Sequence, residues 1–249
     1  MSRPAATLAA YVLHTHDWSE TSLIVELFTR ERGRIAVAAK GAKRPTSQLR
    51  PVLLPFQPLA VTLGKTPADE TAELHLLRGA EWLGGAPMLP PSALFSGFYC
   101  NELLLKLLAR QDPHPQLFDA YTATLAALAE AASNESPALR AFEIVLLREL
   151  GLLPELAVET LTLQPLQPQR RYALQPEAGL VADAEGLPGE AWIHLAAALE
   201  HGHPQALRAA CAPVAATLRG PLRNLLHYHL GHTTLRTRQV MVDVQKLQP

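Results

Sequence analysis

The chain has 249 residues, of which 48% are hydrophobic and 18% are charged, with a formal net charge of −1 at pH 7. This composition is typical of a folded globular protein and excludes a chain that is disordered throughout. No apolar run approaches the roughly 20 residues of a membrane-spanning helix, and the N-terminal residues lack a signal-peptide pattern. The two cysteines, Cys100 and Cys211, lie far apart in helical sequence. They argue against a disulfide framework and predict a cytoplasmic protein.

The first 80 residues have the pattern of short strands separated by Gly and Pro turns. Strands are predicted over residues 11–16, 22–28, 34–39, 52–63 and 73–78. Five strands without an intervening long helix predict a small closed barrel. The OB-fold is a five-stranded barrel that often binds single-stranded nucleic acid. We therefore predict an OB-fold nucleic-acid-binding domain over residues 1–80.

From about residue 90 the hydrophobic period becomes that of amphipathic helices. Helices are predicted over residues 92–110, 113–132 and 136–150, then over 190–200 and 204–230. Ser136 is the expected N-cap of the third helix, and Gly151 its expected C-terminal glycine. Gly220-Pro221 predicts a break inside the last helix. The expected fold class is α+β, with a helical domain over residues 81–249.

Residues 152–190 interrupt this helical domain with five prolines and three glycines. Such punctuation predicts an irregular insertion that has short strands at most. Residues 152–200 contain no cysteine, so no thiolate zinc site can form there. We predict neither a metal nor a cofactor for the chain.

The positive charge is concentrated in two parts of the sequence. Residues 30–50 hold seven basic residues and one acid, a net charge of +6. This strand and loop favour an anionic partner, most simply a polyphosphate backbone, although a solvated basic face is the alternative. The candidate DNA-binding residues are Arg34, Lys40, Lys43, Arg44 and Arg50. A second basic group, near the C-terminus, could extend this track or contact a protein, and it comprises Arg219, Arg223, Arg236, Arg238 and Lys246.

Aromatic residues and histidines give weaker indications. Tyr11, Trp18, Phe28 and Phe56 are expected in the barrel core, so we predict backbone contacts and little base stacking. His14 and His16 share a strand face, but no carboxylate or thiol completes a metal site. No nucleotide-binding, metalloprotease or nucleophile-elbow motif occurs, which favours a protein that is not an enzyme.

Three phrases of the sequence resemble the RecO family of DNA recombination and repair proteins. They read WSETSL over residues 18–23, FTRERGRIAVAAKGAKR over residues 28–44 and LRAFEIVLLRELG over residues 139–151. The resemblance covers nearly the whole chain and is least clear over residues 152–200. Many members of the family carry four cysteines there as a zinc ribbon, which this chain lacks.

The resemblance implies a non-enzymatic DNA-binding protein of recombinational repair that acts on single- and double-stranded DNA. It implies annealing of complementary strands coated with single-stranded-DNA-binding protein, and action with RecR to promote RecA loading. It also implies docking of the acidic tail of single-stranded-DNA-binding protein on the helical domain, where Leu139, Arg140 and Phe142 are the candidate contacts. A nucleoid-associated location follows. The alternative is an adaptor that binds protein tails without touching DNA.

Overall fold

The computed structural model describes residues 7–64, 73–130, 132–231, 235–237, 239–240 and 243. The chain forms two compact units, Met1–Phe118 and Asp119–Pro249. The first unit therefore includes a helical segment beyond the predicted domain boundary at residue 80. The division into an OB-fold domain over residues 1–80 and a helical domain over residues 81–249 stays a prediction.

The first unit is built on a closed five-stranded barrel whose strands follow the order β1-β2-β3-β5-β4. The strands are β1 (Thr7–Asp17), β2 (Leu23–Thr29), β3 (Gly33–Ala39), β4 (Leu59–Leu63) and β5 (Leu74–Trp82). β1 pairs with β4 in the antiparallel sense, and β3 pairs with β5 in the parallel sense, which closes the barrel. This is the strand order of an OB-fold, so the predicted fold class is confirmed.

Apolar side chains from every strand fill the barrel. Val25, Leu27, Ile35 and Val37 are completely buried, as the alternation of side chains along a strand requires. The predicted strand over residues 52–63 is too long, because only Leu59–Leu63 is extended. The residues before it form turns around Phe56, which is buried with a φ of 68°.

Helix α1 (Leu94–Leu107) completes this unit by packing against β1. The register of β1 with β2 shifts between Val12 and His14, which is a β-bulge. A bulge removes ladder partners from the strand, and a buried carbonyl without a partner is costly. The Asn101 side chain, from α1, donates hydrogen bonds to the Leu13 carbonyl at 3.0 Å and the Val12 carbonyl at 3.4 Å.

The helices of the second unit lie close to their predicted positions. They are α2 (Pro115–Glu130, which begins in the first unit), α3 (Glu135–Glu149), α4 (Gly189–Glu200), α5 (Pro204–Cys211) and α6 (Ala215–Leu230). Gly151 ends α3 as predicted, with a φ of 68° and a bond from its N–H to the Arg148 carbonyl. The N-cap prediction is wrong, since α3 begins at Glu135 and Ser136 lies within its first turn.

The break predicted at Gly220-Pro221 is also wrong, because α6 continues through Pro221. The helices are instead separated at Ala212–Val214, a short 3-10 turn that contains Pro213. No helix among the described residues is long and apolar enough to cross a membrane.

The insertion is a small ordered β structure. Its strands are β6 (Val158–Glu159), β7 (Gln164–Pro165), β8 (Arg171–Gln175), β9 (Gly179–Ala182) and β10 (Leu187–Pro188). β8 lies between β10 and β9, while β6 pairs with β7. Tyr172, Leu174 and Leu180 are buried, and the Trp192 indole N–H donates to the Tyr172 carbonyl at 3.0 Å. The insertion contains no cysteine, and this packing and hydrogen bonding order it.

Candidate nucleic-acid interface

The basic segment after β3 is a loop held against the tip of the β1–β2 hairpin. The Lys43 backbone N–H donates to the Thr21 carbonyl at 2.9 Å, and the Gly41 N–H donates to Ser22 Oγ at 3.4 Å. Gly41 has a φ of 70°, in the left-handed region that glycine adopts without strain. Ala42 is 1% exposed and contributes to the barrel core. These contacts fix the backbone from which the cationic side chains project.

Four of the five candidate DNA-binding residues lie on this loop, which we call the basic loop (residues 40–50). Lys40, Arg44 and Arg50 are exposed. Lys43 is half-buried, and its ammonium lies 3.1 Å from Asp17 Oδ1 and 3.2 Å from the Ser19 carbonyl. The structure describes no acidic side chain within residues 40–50, and the loop is therefore a concentrated positive surface.

The fifth candidate, Arg34, occupies a different environment on β3. Its guanidinium donates a hydrogen bond to the Leu105 carbonyl, near the C-terminal end of α1. Burial lowers the pKa of Arg34, Glu26 opposes that change, and Arg110 adds to it. The contact with α1 gives Arg34 a structural role, and its contact with DNA stays a prediction.

The expectation that all four barrel aromatics lie in the core is wrong for Trp18. Tyr11, Phe28 and Phe56 are at most 5% exposed, whereas Trp18 is 49% exposed on the β1–β2 hairpin. Trp82, which the sequence did not single out, is 52% exposed, and its indole N–H donates to the Val52 carbonyl at 3.1 Å. No local sequence pattern distinguishes the two exposed tryptophans from the buried aromatic residues, because the exposure of a side chain at a strand end depends on how far that end projects from the barrel.

The candidate partner-binding residues on α3 are mostly buried. Arg140 is 6% exposed, and its guanidinium lies 2.6 Å from the carboxylate of Glu143, which is 1% exposed. Phe142 is fully buried and Leu139 is half-buried. Arg140 therefore does not project from the surface. It forms a buried ion pair with Glu143, which lies three residues further along the same helix.

A groove lies beside Phe142, between α2, α3 and α5, and sequence reasoning missed it. Small apolar residues line it, including Ala123, Ala127, Ala138 and Ala141. At its rim Arg208 lies 3.6 Å from the carboxylate of Glu130. Alanines at helical spacing are ordinary core signals, so only the packing of the three helices reveals this concave surface.

The second basic group is only partly described. Arg219 and Arg223 are exposed on α6, four residues apart and so on one face of the helix. Arg236 is exposed, while Arg238 and Lys246 lie outside the described residues.

A metal site is not found in the part of the chain that the structure describes, where no group of three or more His, Cys, Asp or Glu residues could hold an ion. The rings of His14 and His16 meet edge to face with centroids 4.5 Å apart. The two cysteines are both buried, and neither lies in the insertion. The insertion therefore lacks the thiolates that the zinc ribbon expected from the resemblance would need.

Comparison with known proteins covers the entire chain. The family model "Recombination protein O N terminal" matches residues 1–85, and "Recombination protein O C terminal" matches residues 90–239. The DNA repair protein RecO of Verminephrobacter eiseniae is 54% identical over 244 residues, with 96% of each chain covered. The RecO proteins of Acidovorax ebreus and Variovorax paradoxus are each 52% identical, with 99% and 96% of each chain covered. The chain with this barrel and basic loop thus belongs to the recombination protein O family of DNA repair proteins.

Proposed function

We propose that this chain binds DNA through the basic loop and anneals complementary single strands that are coated with single-stranded-DNA-binding protein. In this proposal it acts with RecR to promote RecA loading, and it is not an enzyme. The observation that carries the proposal is the anchored, acid-free basic loop on an OB-fold barrel in a family of DNA repair proteins.

The basic loop suits a phosphate backbone for two reasons. Lys40, Arg44 and Arg50 are exposed, so each can approach a phosphate without first breaking a buried contact. The loop backbone is held by the barrel, so little further ordering is required on binding. Contacts of this kind fix position on DNA without reading its sequence.

Annealing can follow from such contacts without covalent chemistry. Two complementary strands repel each other through their phosphates, and cationic side chains that neutralise part of this charge lower the repulsion. The bases of the bound strand stay available for pairing if the loop contacts only the backbone. The exposed arginines of α6 are a candidate surface for the second strand or for a protein partner.

We place the docking of the partner tail in the groove between α2, α3 and α5. An acidic tail with an aromatic residue needs an apolar floor and a cation for the terminal carboxylate. The alanines that line the groove supply the floor, with the buried Phe142 ring beside them, and Arg208 is the cation at the rim. In this arrangement Arg140 supports the site from within α3, while Arg208 contacts the tail.

DNA binding is tested by the fluorescence anisotropy of a labelled 20-nucleotide single strand across a salt series. Four phosphate contacts predict a slope of log K against log salt of about −2.8. The variant Lys40→Ala/Arg44→Ala is expected to have a slope shallower by about 1.4. The matched variants Arg170→Ala/Arg171→Ala and Arg219→Ala/Arg223→Ala each remove two exposed charges from the second unit.

The outcomes separate the alternatives. If only the loop variant changes the slope, the DNA lies on the basic loop. If only Arg219→Ala/Arg223→Ala changes it, the DNA site is on α6 and the proposed interface is wrong. If the wild-type chain binds no DNA, the adaptor is favoured.

Tail docking is tested by calorimetry with a synthetic peptide of the last nine residues of single-stranded-DNA-binding protein from the same organism. Arg208→Ala should weaken binding at least tenfold, and amidation of the peptide's carboxylate should weaken binding to the wild type equally. Arg171→Ala, at an exposed position of β8, is the control for loss of charge. Unchanged affinity for Arg208→Ala would remove the groove from the proposal.

A further inference from the structure

The exposed Trp18 lies on the β1–β2 hairpin, between two residues that contact Lys43 of the basic loop. Lys43 Nζ contacts Asp17 Oδ1 at 3.1 Å and the Ser19 carbonyl at 3.2 Å, so this ammonium holds the residues on either side of Trp18. The Lys43 backbone is bonded to the same hairpin through Thr21. The indole and the cationic loop therefore belong to one continuous surface within the first unit.

Hydrogen bonds within the hairpin tip order the backbone that carries the Trp18 indole. The Trp18 and Ser19 N–H groups both donate to the Ser22 carbonyl, at 3.2 and 3.4 Å. The Ser22 N–H donates in return to Ser19 Oγ at 3.2 Å. A ring on an ordered turn loses little conformational freedom when a ligand packs on it.

Trp18 is also an unusual residue to leave half-exposed. Burying an indole removes a large apolar area from water. Tyr11 on β1 and Phe28 on β2 are buried in this way, whereas Trp18 is not. His14 and His16 are also exposed near the end of β1, and their rings contact each other. In OB-folds, the loop between the first two strands is one of those that contact oligonucleotides.

We propose that Trp18 stacks on an unpaired base of the strand whose phosphates lie on the basic loop. This inference rests on the proposed function, and it assigns the hairpin to the bases and the loop to the backbone. The charges support that division, because Glu20 on the hairpin would repel a phosphate while Lys40 and Arg44 attract one. An unpaired base offers a free π-face, whereas a base within a duplex does not.

The chain contains its own reporters for this contact. Three tryptophans are present, of which Trp192 is 1% exposed and lies in the second unit. Trp18 and Trp82 are almost equally exposed, at 49% and 52%. Trp82→Leu is therefore a matched control for Trp18→Leu.

The first measurement is the quenching of tryptophan fluorescence by an oligothymidylate of 20 nucleotides. We expect quenching in the wild type and in Trp82→Leu, and its loss in Trp18→Leu. Quenching that persists in Trp18→Leu and disappears in Trp82→Leu would overturn the inference, because the base would then lie on the other indole.

The second measurement compares affinities for single- and double-stranded DNA by anisotropy. Trp18→Ala should weaken single-strand binding about tenfold and leave duplex binding and the salt slope unchanged. Trp18→Phe should restore most of the single-strand affinity, because it retains an aromatic face. An equal loss for both DNA forms, with no rescue by phenylalanine, would contradict stacking.

The two proposals fail in different ways. If the wild-type chain does not bind DNA in the anisotropy assay, the proposed function fails before Trp18 is considered. If it binds with the expected salt slope but Trp18→Ala keeps the wild-type affinity for both DNA forms, only the stacking inference fails. Circular dichroism and the thermal midpoint of each variant show whether the chain is folded.

Discussion

Arg110 and Glu26 form a partly buried ion pair in the first unit, with Arg110 Nη2 lying 2.5 Å from Glu26 Oε1. Glu26 is on β2 and only 6% exposed, and it also opposes the lowering of the pKa of Arg34. One carboxylate thus compensates two guanidinium groups beside the end of α1. Such a cluster is sensitive to the loss of its single acid.

Glu26→Gln should therefore destabilise the first unit by about 3 kcal/mol, because it leaves two partly buried cations without a counter-charge. Urea unfolding followed by tryptophan fluorescence measures this, since Trp18 and Trp82 both report on this unit. Glu81→Gln, at an exposed position of β5, is the control and should change stability by less than about 0.5 kcal/mol. Equal midpoints for the two variants would show that the contact contributes little.

Arg140 and Glu143 form the corresponding buried pair in the second unit. Arg140→Met should cost about 3–5 kcal/mol, because the Glu143 carboxylate would stay buried without its cation. The double variant Arg140→Met/Glu143→Leu should regain most of that stability by packing apolar side chains. Urea unfolding of both variants measures the difference. A double variant as unstable as the single one would mean that shape, rather than charge, is the requirement at this site.

His75 predicts a dependence of stability on pH. Burial lowers the pKa of His75 below its ordinary value of 6.5, and the charge of Arg32 lowers it further. The unfolded state then binds protons more readily than the folded state, so the free energy of unfolding falls as pH drops below about 6.5. Above that pH the effect disappears.

The measurement is the free energy of unfolding of wild type and His75→Gln between pH 5 and 8. The wild type should lose more stability than the variant on the acidic side of about pH 6.5. Parallel curves for the two proteins would assign the acid sensitivity to other groups.

The thiol of Cys211 should be unreactive in the folded protein. Burial raises the pKa of Cys211 to about 12; the nearby charge of Arg140 opposes this rise, and that of Glu143 adds to it. The thiolate is the reacting species, so an aromatic disulfide reagent at pH 8 should modify neither Cys211 nor the buried Cys100. In urea both thiols should react. Rapid modification of the native protein would contradict this, and Cys211→Ser would identify which thiol had reacted.

Sequence patterns were sufficient for the elements whose signal is local. The glycine after α3 was predicted from residue type alone, because only glycine adopts a positive φ without strain and thereby completes the C-terminal hydrogen bonds. The concentration of charge in the basic loop was likewise readable, since charge is a property of composition.

Other features depended on packing between distant segments. Pro221 lies inside α6 although proline disfavours a helix interior, which shows that tertiary contacts outweigh the local preference there. Arg140 is an ordinary surface residue by type, yet the fold buries it against Glu143. The exposure of Trp18 could not be read from its sequence neighbours, because burial depends on contacts with distant segments of the chain.

The sequence by itself therefore determined the barrel, the helices, the family and the approximate place of the positive charge. Only the tertiary structure decided which cations are available to a ligand, because Arg34 and Arg44 are the same residue type, yet Arg34 contacts α1 while Arg44 is exposed. It also decided that the hairpin carrying Trp18 lies against the basic loop, since the contact of Lys43 with Asp17 joins residues distant in sequence. Periodicity and composition report short-range preferences, whereas burial and ion pairing are properties of the folded chain.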